Sequence, residues 1–388
     1  MLSSTTPSEW ARQLVSGAYD LHVHVAPDVM RRRVTDLQLA RRCQDVGLAG
    51  FVLKSHYVST AERAAVLNEV LAEGARAHRR RADGAPEDGA RPDGARADGA
   101  RADGARADGA RADGVRVIGA LTLNASVGGM NPLAAEIAAR EGARILWMPT
   151  LDALNHRVTH GDLPAGATPP MWLALQADLD AQGITVDPVP VLDAAGRPLP
   201  ATREVLSLAA RHQLVVATGH LSAFETRAVA DAAFEAGVRH VIATHPEFPQ
   251  QNLSRADQLA LVRQGAFLER CFTTPFTGKY DWARMADNIR ATGPEHTVVT
   301  TDLGQPHNPP VEDGLALMAD ALHAARFPDQ EITTMIVSNS RLLAGPDPRR
   351  EDLPPEVRLS QHQPGQQPPG QDQPGQGQPG AGQPGRAS

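Results

Sequence analysis

Tyr19-Asp20-Leu21-His22-Val23-His24-Val25-Ala26-Pro27 reads as a buried strand, about residues 18–25, that ends in two histidines one residue apart. Side chains alternate faces along a strand, so Asp20, His22 and His24 share one face. Two imidazoles on one face can reach a single ion, and neutral imidazole suits zinc, iron, manganese or nickel. For a lone His-x-His the plainer reading is a pair of surface histidines on an edge strand. The pattern of the rest of the chain decides between the two.

Working outward, seven more apolar runs follow. Gly50–His56 is the second strand, Val115–Asn124 the third and Arg144–Thr150 the fourth. Gln213–His220, His240–His245, Ala266–Cys271 and His296–Asp302 are the fifth to eighth. Helical segments lie between them. Thr35 and Gln38 form a capping box for a helix that stops at Gly47, and Ser222 and Glu225 form another for a helix to Ala236. A helix over about 60–73 ends at Gly74. Others are expected at about 8–16, 131–142, 201–212, 254–264, 280–291, 312–326 and 328–343. The strands are continuous apolar runs, which marks a parallel sheet covered by helices. Eight repeats favour a closed α/β barrel, the (β/α)8 TIM barrel. No G-x-G-x-x-G or P-loop supports a nucleotide-binding alternative.

Three segments interrupt the pattern. Arg81 to Val115 is seven pentads, mostly Arg-Ala-Asp-Gly-Ala, with a glycine every fifth residue and nothing to bury. Residues 184–200 read as a small accessory β-hairpin with Ala195-Gly196 near its turn. The end of the chain is rich in Gln, Pro and Gly. The expected organisation is one barrel over 1–350, a disordered low-complexity insertion at 76–114 and a disordered tail at 354–388.

Composition narrows the partners. The 388 residues carry a net charge of −7, which argues against a nucleic-acid or anionic-membrane footprint. No run of about 18 apolar residues predicts a membrane span. The N-terminal residues lack a signal pattern, and Cys43 and Cys271 form no framework, which fits a reducing cytoplasm. A cytoplasmic protein acting on a small molecule is expected, and a homo-oligomer is compatible with the sequence. Lys54 and Lys279 are the only lysines among many arginines, so each invites a specific reason.

In a TIM barrel the reactive residues sit at the C-terminal ends of the strands. His22 and His24 end strand one, Lys54 and His56 strand two, His220 strand five, His245 strand six and Asp302 strand eight. So many polar ligand types at matching positions is far more specific than any one pair. Together they predict a divalent-metal site.

With those residues assembled, the chain resembles the amidohydrolase superfamily of metal-dependent (β/α)8 hydrolases over about 17–345, apart from the pentads. The matching residues are Asp20-Leu21-His22-Val23-His24, His220, His245 and Asp302. Ser338-Asn339-Ser340-Arg341-Leu342-Leu343-Ala344-Gly345 looks like a degraded form of the family's closing N-P-A-x-L-L-G. Leu53-Lys54-Ser55-His56, Trp147-Met148-Pro149-Thr150 and Thr301-Asp302-Leu303-Gly304-Gln305 look like an uncharacterised bacterial branch. The resemblance implies that His22, His24 and Asp302 hold the more buried metal. It also implies that His220 and His245 hold a second, or that one ligates while the other contacts substrate. Asp302 would double as the base. Zinc is the expected ion, one or two per chain, with manganese or iron as alternatives.

One departure stands out. Two-metal members carry a carboxylated lysine or a glutamate at the end of strand four, where this chain has Pro149-Thr150-Leu151-Asp152. Lys54 ends strand two instead. It either bridges two metals as a carbamate, holds an oxyanion or substrate carboxylate as an ammonium, or forms a rim salt bridge with Glu269 or Asp152. Lys54 and His56 are therefore candidate catalytic groups. Arg31, in the run Arg31-Arg32-Arg33, and His156, with His160 in the loop after strand four, are candidate substrate contacts; so is Glu269 at the end of strand seven. His307 shapes the loop after Asp302. The function expected is metal-assisted hydrolysis of an amide, cyclic amide, lactone or ester. The rivals are a mononuclear decarboxylase or lyase of the same superfamily and a non-catalytic barrel.

Overall fold

The structure is a computed structural model that describes residues 5–82, 114–159 and 170–346. Most of the pentads, the Gln/Pro/Gly-rich tail and His160 lie outside the described residues.

Eight parallel strands form the expected (β/α)8 TIM barrel. They are β1 Tyr19–Val23, β2 Gly50–Leu53, β3 Arg116–Thr122, β4 Ala143–Trp147, β5 Val215–Ala217, β6 Val241–Ala243, β7 Phe267–Cys271 and β8 Thr297–Thr300, hydrogen-bonded in that order. All eight are shorter than their apolar runs, β5 and β6 being only three residues long. The ring closes between β8 and β1 just past the strand ends: Asp302 N–H donates to the His22 carbonyl (2.9 Å) and His24 N–H to the Leu303 carbonyl (2.8 Å).

The barrel interior is packed by Leu21, Val52, Ile118, Ile145, Trp147, Val215, Ile242, Phe267 and Val298. The helix Asn339–Ala344 stops the N-terminal end of the barrel. Its Leu343 and Ala344 join that interior, and its polar groups meet the strand starts. Tyr19 N–H donates to the Ser340 hydroxyl, Asn339 donates to the Thr297 carbonyl, and Arg116 donates to the Ala344 carbonyl. The closing motif thus has a mechanical purpose at the face opposite the histidines.

Local signals explain the helices around the barrel. The capping boxes at Thr35/Gln38 and Ser222/Glu225 both form, and a third, Ser254/Asp257, starts the helix Arg255–Arg263. One expectation is corrected and another is met in reduced form. The helix after β2, Ala61–Ala82, runs through Gly74 into the segment assigned to the insertion. One interior glycine costs about 1 kcal/mol, and the flanking Ala, Glu and Arg are strong helix formers. The hairpin expected at 184–200 forms, but shrunk to a single bridge instead of two strands. It holds one antiparallel bridge, Leu192 to Pro198, around an Asp193-centred turn, and one parallel bridge from Val189 to Ala153. Its four prolines limit further pairing. No described helix is long and apolar enough to cross a membrane.

Candidate metal centre at the barrel mouth

His22 is the last residue but one of β1, and His24 lies one residue past its end, both almost wholly buried. Asp302 lies two residues past β8 and is held against β1 by the closing bonds of the barrel. Its carboxylate Oδ1 stands 3.2 Å from His22 Nε2 and 3.2 Å from His24 Nε2. Two ligands of one zinc ion, each about 2.0–2.1 Å from it at the tetrahedral angle, stand about 3.3 Å apart. The three side chains are therefore already spaced as ligands of one ion, and their donor set suits zinc or another divalent metal.

The backbone is bent to reach this arrangement. Asp302 has φ +52° and His245 φ +25°, two of the few described non-glycine residues in the left-handed region. Such conformations cost energy and concentrate at functional sites. Gly304, at φ +138°, lets the loop after Asp302 lie against the His24 carbonyl, where a Cβ would collide.

Glu269, on β7, holds His22 from behind. Its Oε1 accepts from His22 Nδ1 (3.0 Å) and the Thr300 hydroxyl (3.1 Å), and its Oε2 accepts from the His245 amide (3.2 Å). In the neutral ring, a proton on Nδ1 would leave the Nε2 lone pair for the mouth. Despite burial, the His22 charge and hydrogen bond hold the Glu269 carboxyl at about 2. Both of its oxygens are taken up by these protein donors. Asp20, also buried, accepts from the Thr301 amide and hydroxyl and from the His22 amide, tying β1 to the end of β8.

Lys54 follows β2 and is buried. Its Nζ is 2.8 Å from His22 Nε2 and lies 5.2 Å from the centre of the Trp147 ring. Burial pushes its ammonium down from the ordinary value. Asp152 pairs with Arg157 instead of Lys54. His56 Nδ1 is hydrogen-bonded to the Thr150 hydroxyl (2.8 Å), and Asn124 donates to both that hydroxyl and the His56 carbonyl. Thr150, which follows β4, thus braces His56. The inward position at the end of β4 itself is filled by the Trp147 indole, 5.7 Å from the His22 ring.

The remaining imidazoles continue the cluster. His24 stacks on His56 (ring centres 4.9 Å apart), His56 approaches His220 (6.1 Å), and His220 lies between His156 (4.7 Å) and His245 (5.1 Å). Burial, followed by neighbouring positive groups, pushes His56 and His220 far below the ordinary value. Burial takes His24 to about 3 and His245 to about 4. These rings are neutral and have lone pairs to offer. In His22, burial and Lys54 oppose the charge, but Glu269 and Asp302 outweigh them and raise the ring.

Among the secondary candidates, Arg31 is exposed; Arg32 turns inward instead. Arg32 pairs with Asp28 (2.8 Å) and reaches within 3.4 Å of His24 Nδ1. His156 is buried on the helix Leu154–Thr159, and His307 is exposed. The residues not singled out from the sequence are Asn124, Thr301, Thr300 and Thr273; Thr273 donates to Asp302 Oδ2 (3.3 Å). Their partners come from other strands, so no local pattern marks them.

The fold is similar to that of a solved structure. An amidohydrolase from Pseudomonas aeruginosa aligns with a TM-score of 0.51 and 12% identity, over 86% of this chain and 98% of that one. A probable dipeptidase from the same organism gives 0.48 and 11%, over 87% and 96%. A 2,6-dihydroxybenzoate decarboxylase from Rhizobium gives 0.41 and 13%, over 85% and 98%. No curated protein matches the sequence. Residues 17–78 and 98–269 match the model of a family described as "Family of unknown function (DUF6282)".

Proposed function

The chain belongs to the DUF6282 family, and from the mouth of its barrel we propose that it is a metal-dependent hydrolase of the amidohydrolase type. The observation that carries this reading is the convergence of His22 Nε2, His24 Nε2 and Asp302 Oδ1 at ligand spacing. His22, His24 and Asp302 would hold a divalent ion, with zinc the best match to the donors and manganese or iron as alternatives; His220 and His245 face the same mouth. When bound, such an ion supplies Lewis acidity and makes water a nucleophile near neutral pH.

The chain's own groups supply the rest. Asp302 is held well below the ordinary carboxyl range by His22 and His24, against the effect of burial, so it is ionised and able to accept a proton from the attacking water. As the water oxygen bonds to the carbonyl carbon, Lys54 and His56 stand at the rim to hold the developing oxyanion. Asp302 then returns the proton to the departing nitrogen or oxygen as the C–N or C–O bond breaks. Arg32 is the rim arginine best placed to meet an anionic part of a small-molecule substrate.

The test is a panel of dipeptides, N-acyl amino acids, cyclic amides, lactones and carboxylic esters assayed with zinc-loaded and chelator-stripped protein in ¹⁸O-water. One ¹⁸O entering the product, lost with the metal and with Asp302→Asn, is expected. Release of carbon dioxide with no ¹⁸O uptake would replace hydrolysis by decarboxylation. A chain that takes up no zinc on dialysis would defeat the reading.

A further inference from the structure

The end of β4 carries no metal ligand, yet the loop that follows it brings one back. His156, on the helix Leu154–Thr159, lies with its Nδ1 3.1 Å from Nδ1 of His220. Two nitrogens bound to one zinc ion stand about 3.3 Å apart at the tetrahedral angle. Two neutral imidazoles cannot face lone pair to lone pair at that distance, so a proton or a cation lies between them. His245 is next in line, its ring 5.1 Å from His220, and its buried Nδ1 has no hydrogen-bond partner among the described residues. The three rings do not yet share one ligand-spaced point, so His245, packed against Phe248 at 4.9 Å, has to turn for its nitrogen to join the pair.

The helix is also tied down beside His220. The neighbouring Asn155 donates to the His220 carbonyl (3.0 Å) and to the Gln250 carbonyl (2.8 Å), pinning the β4 loop to the loops after β5 and β6. Meanwhile Trp147 fills the inward position at the β4 end that a bridging side chain would need.

We propose that His156 is a metal ligand, standing in for the side chain absent from β4 and completing with His220 and His245 a second cation site beside the one formed by His22, His24 and Asp302. The proposal rests on the metal-dependent reading above. It implies a two-ion mouth with no bridging side chain, in which a helix of the β4 loop delivers the third nitrogen.

The experiment measures ions per chain by elemental analysis after dialysis of the full chain against zinc and removal of the excess. Wild type should hold two, His156→Ala one, and His156→Asp two, because a carboxylate restores a ligand. His24→Ala, which disables the first site, should keep one. It should lose that ion when His156→Ala is added, a result that does not depend on the single variant alone. Helical circular dichroism in chelator, unchanged from wild type, establishes that each variant is folded. Two ions in both wild type and His156→Ala would overturn the proposal. So would one in both, the result a plain imidazole–imidazole hydrogen bond requires. No ion in wild type would instead remove the metal-dependent reading itself.

Discussion

Glu269→Gln should weaken metal binding without touching a proposed ligand. The native carboxylate meets three donors, His22 Nδ1 and the Thr300 hydroxyl at one oxygen and the His245 amide at the other. Glutamine keeps the shape but has one oxygen. With that oxygen toward His22, the new NH2 confronts the His245 N–H, and an unmet buried donor costs about 1–3 kcal/mol. With the amide flipped, His22 loses its acceptor and with it the fixed proton on Nδ1. In either case the charge behind the imidazole is gone. Loss of such an orienting partner typically costs about 10–100-fold in metal affinity, which is about 1.4–2.8 kcal/mol at 1.4 kcal/mol per factor of ten. The assay is competition for zinc between metal-free protein and a chromophoric chelator, paired with urea unfolding of the metal-free protein. A dissociation constant within about twofold of wild type would refute the orienting role. A loss far beyond about 100-fold would mean that Glu269 binds the ion itself, through the alternative group His22, Glu269 and Cys271.

Two further substitutions separate the mouth from the scaffold. Gly304→Ala forces a Cβ into the His24 carbonyl at a positive φ and should cost at least about 1–3 kcal/mol in urea unfolding while also weakening zinc binding; a neutral result would mean the loop after β8 is free to move. Leu343→Ala, in the fully buried stop at the opposite end, should cost about 2–5 kcal/mol. It should leave the zinc dissociation constant unchanged, and a parallel loss of affinity would show that the two ends of the barrel are coupled.

How much of this could be read in the sequence depends on how local each signal is. The capping boxes at Thr35 and Ser222 were legible because all their atoms lie within four residues. The barrel was legible because all eight strands bury both faces and therefore read as unbroken apolar runs. The positions of His22, His24, Lys54, His56, His220, His245 and Asp302 followed from the rule that strand ends share a rim. Their partners did not. Glu269 meets His22 across 247 residues, and Asp20 meets Thr301 across 281. No spacing rule reaches that far. Of the three consecutive arginines, only the loop's path selects Arg32. His156 lay in what read as a loop after strand four, and its approach to His220 depends on how Asn155 pins that segment. Gly74 read as a helix end because its own preference was weighed without the helix formers on either side.

The seam between the first and last strands has a consequence for how the protein comes into being. A ribosome delivers His22 and His24 early and Asp302 only after nearly the whole barrel has emerged. The backbone bonds that join the two strands, Asp302 to His22 and Leu303 to His24, are the same ones that bring the proposed ligands together. A chain stalled before residue 302 has both histidines but neither the closing bonds nor the carboxylate. On the proposed reading, tight loading of the first ion becomes a report that synthesis and ring closure are complete, and an incomplete product cannot hold the ion as the finished one does.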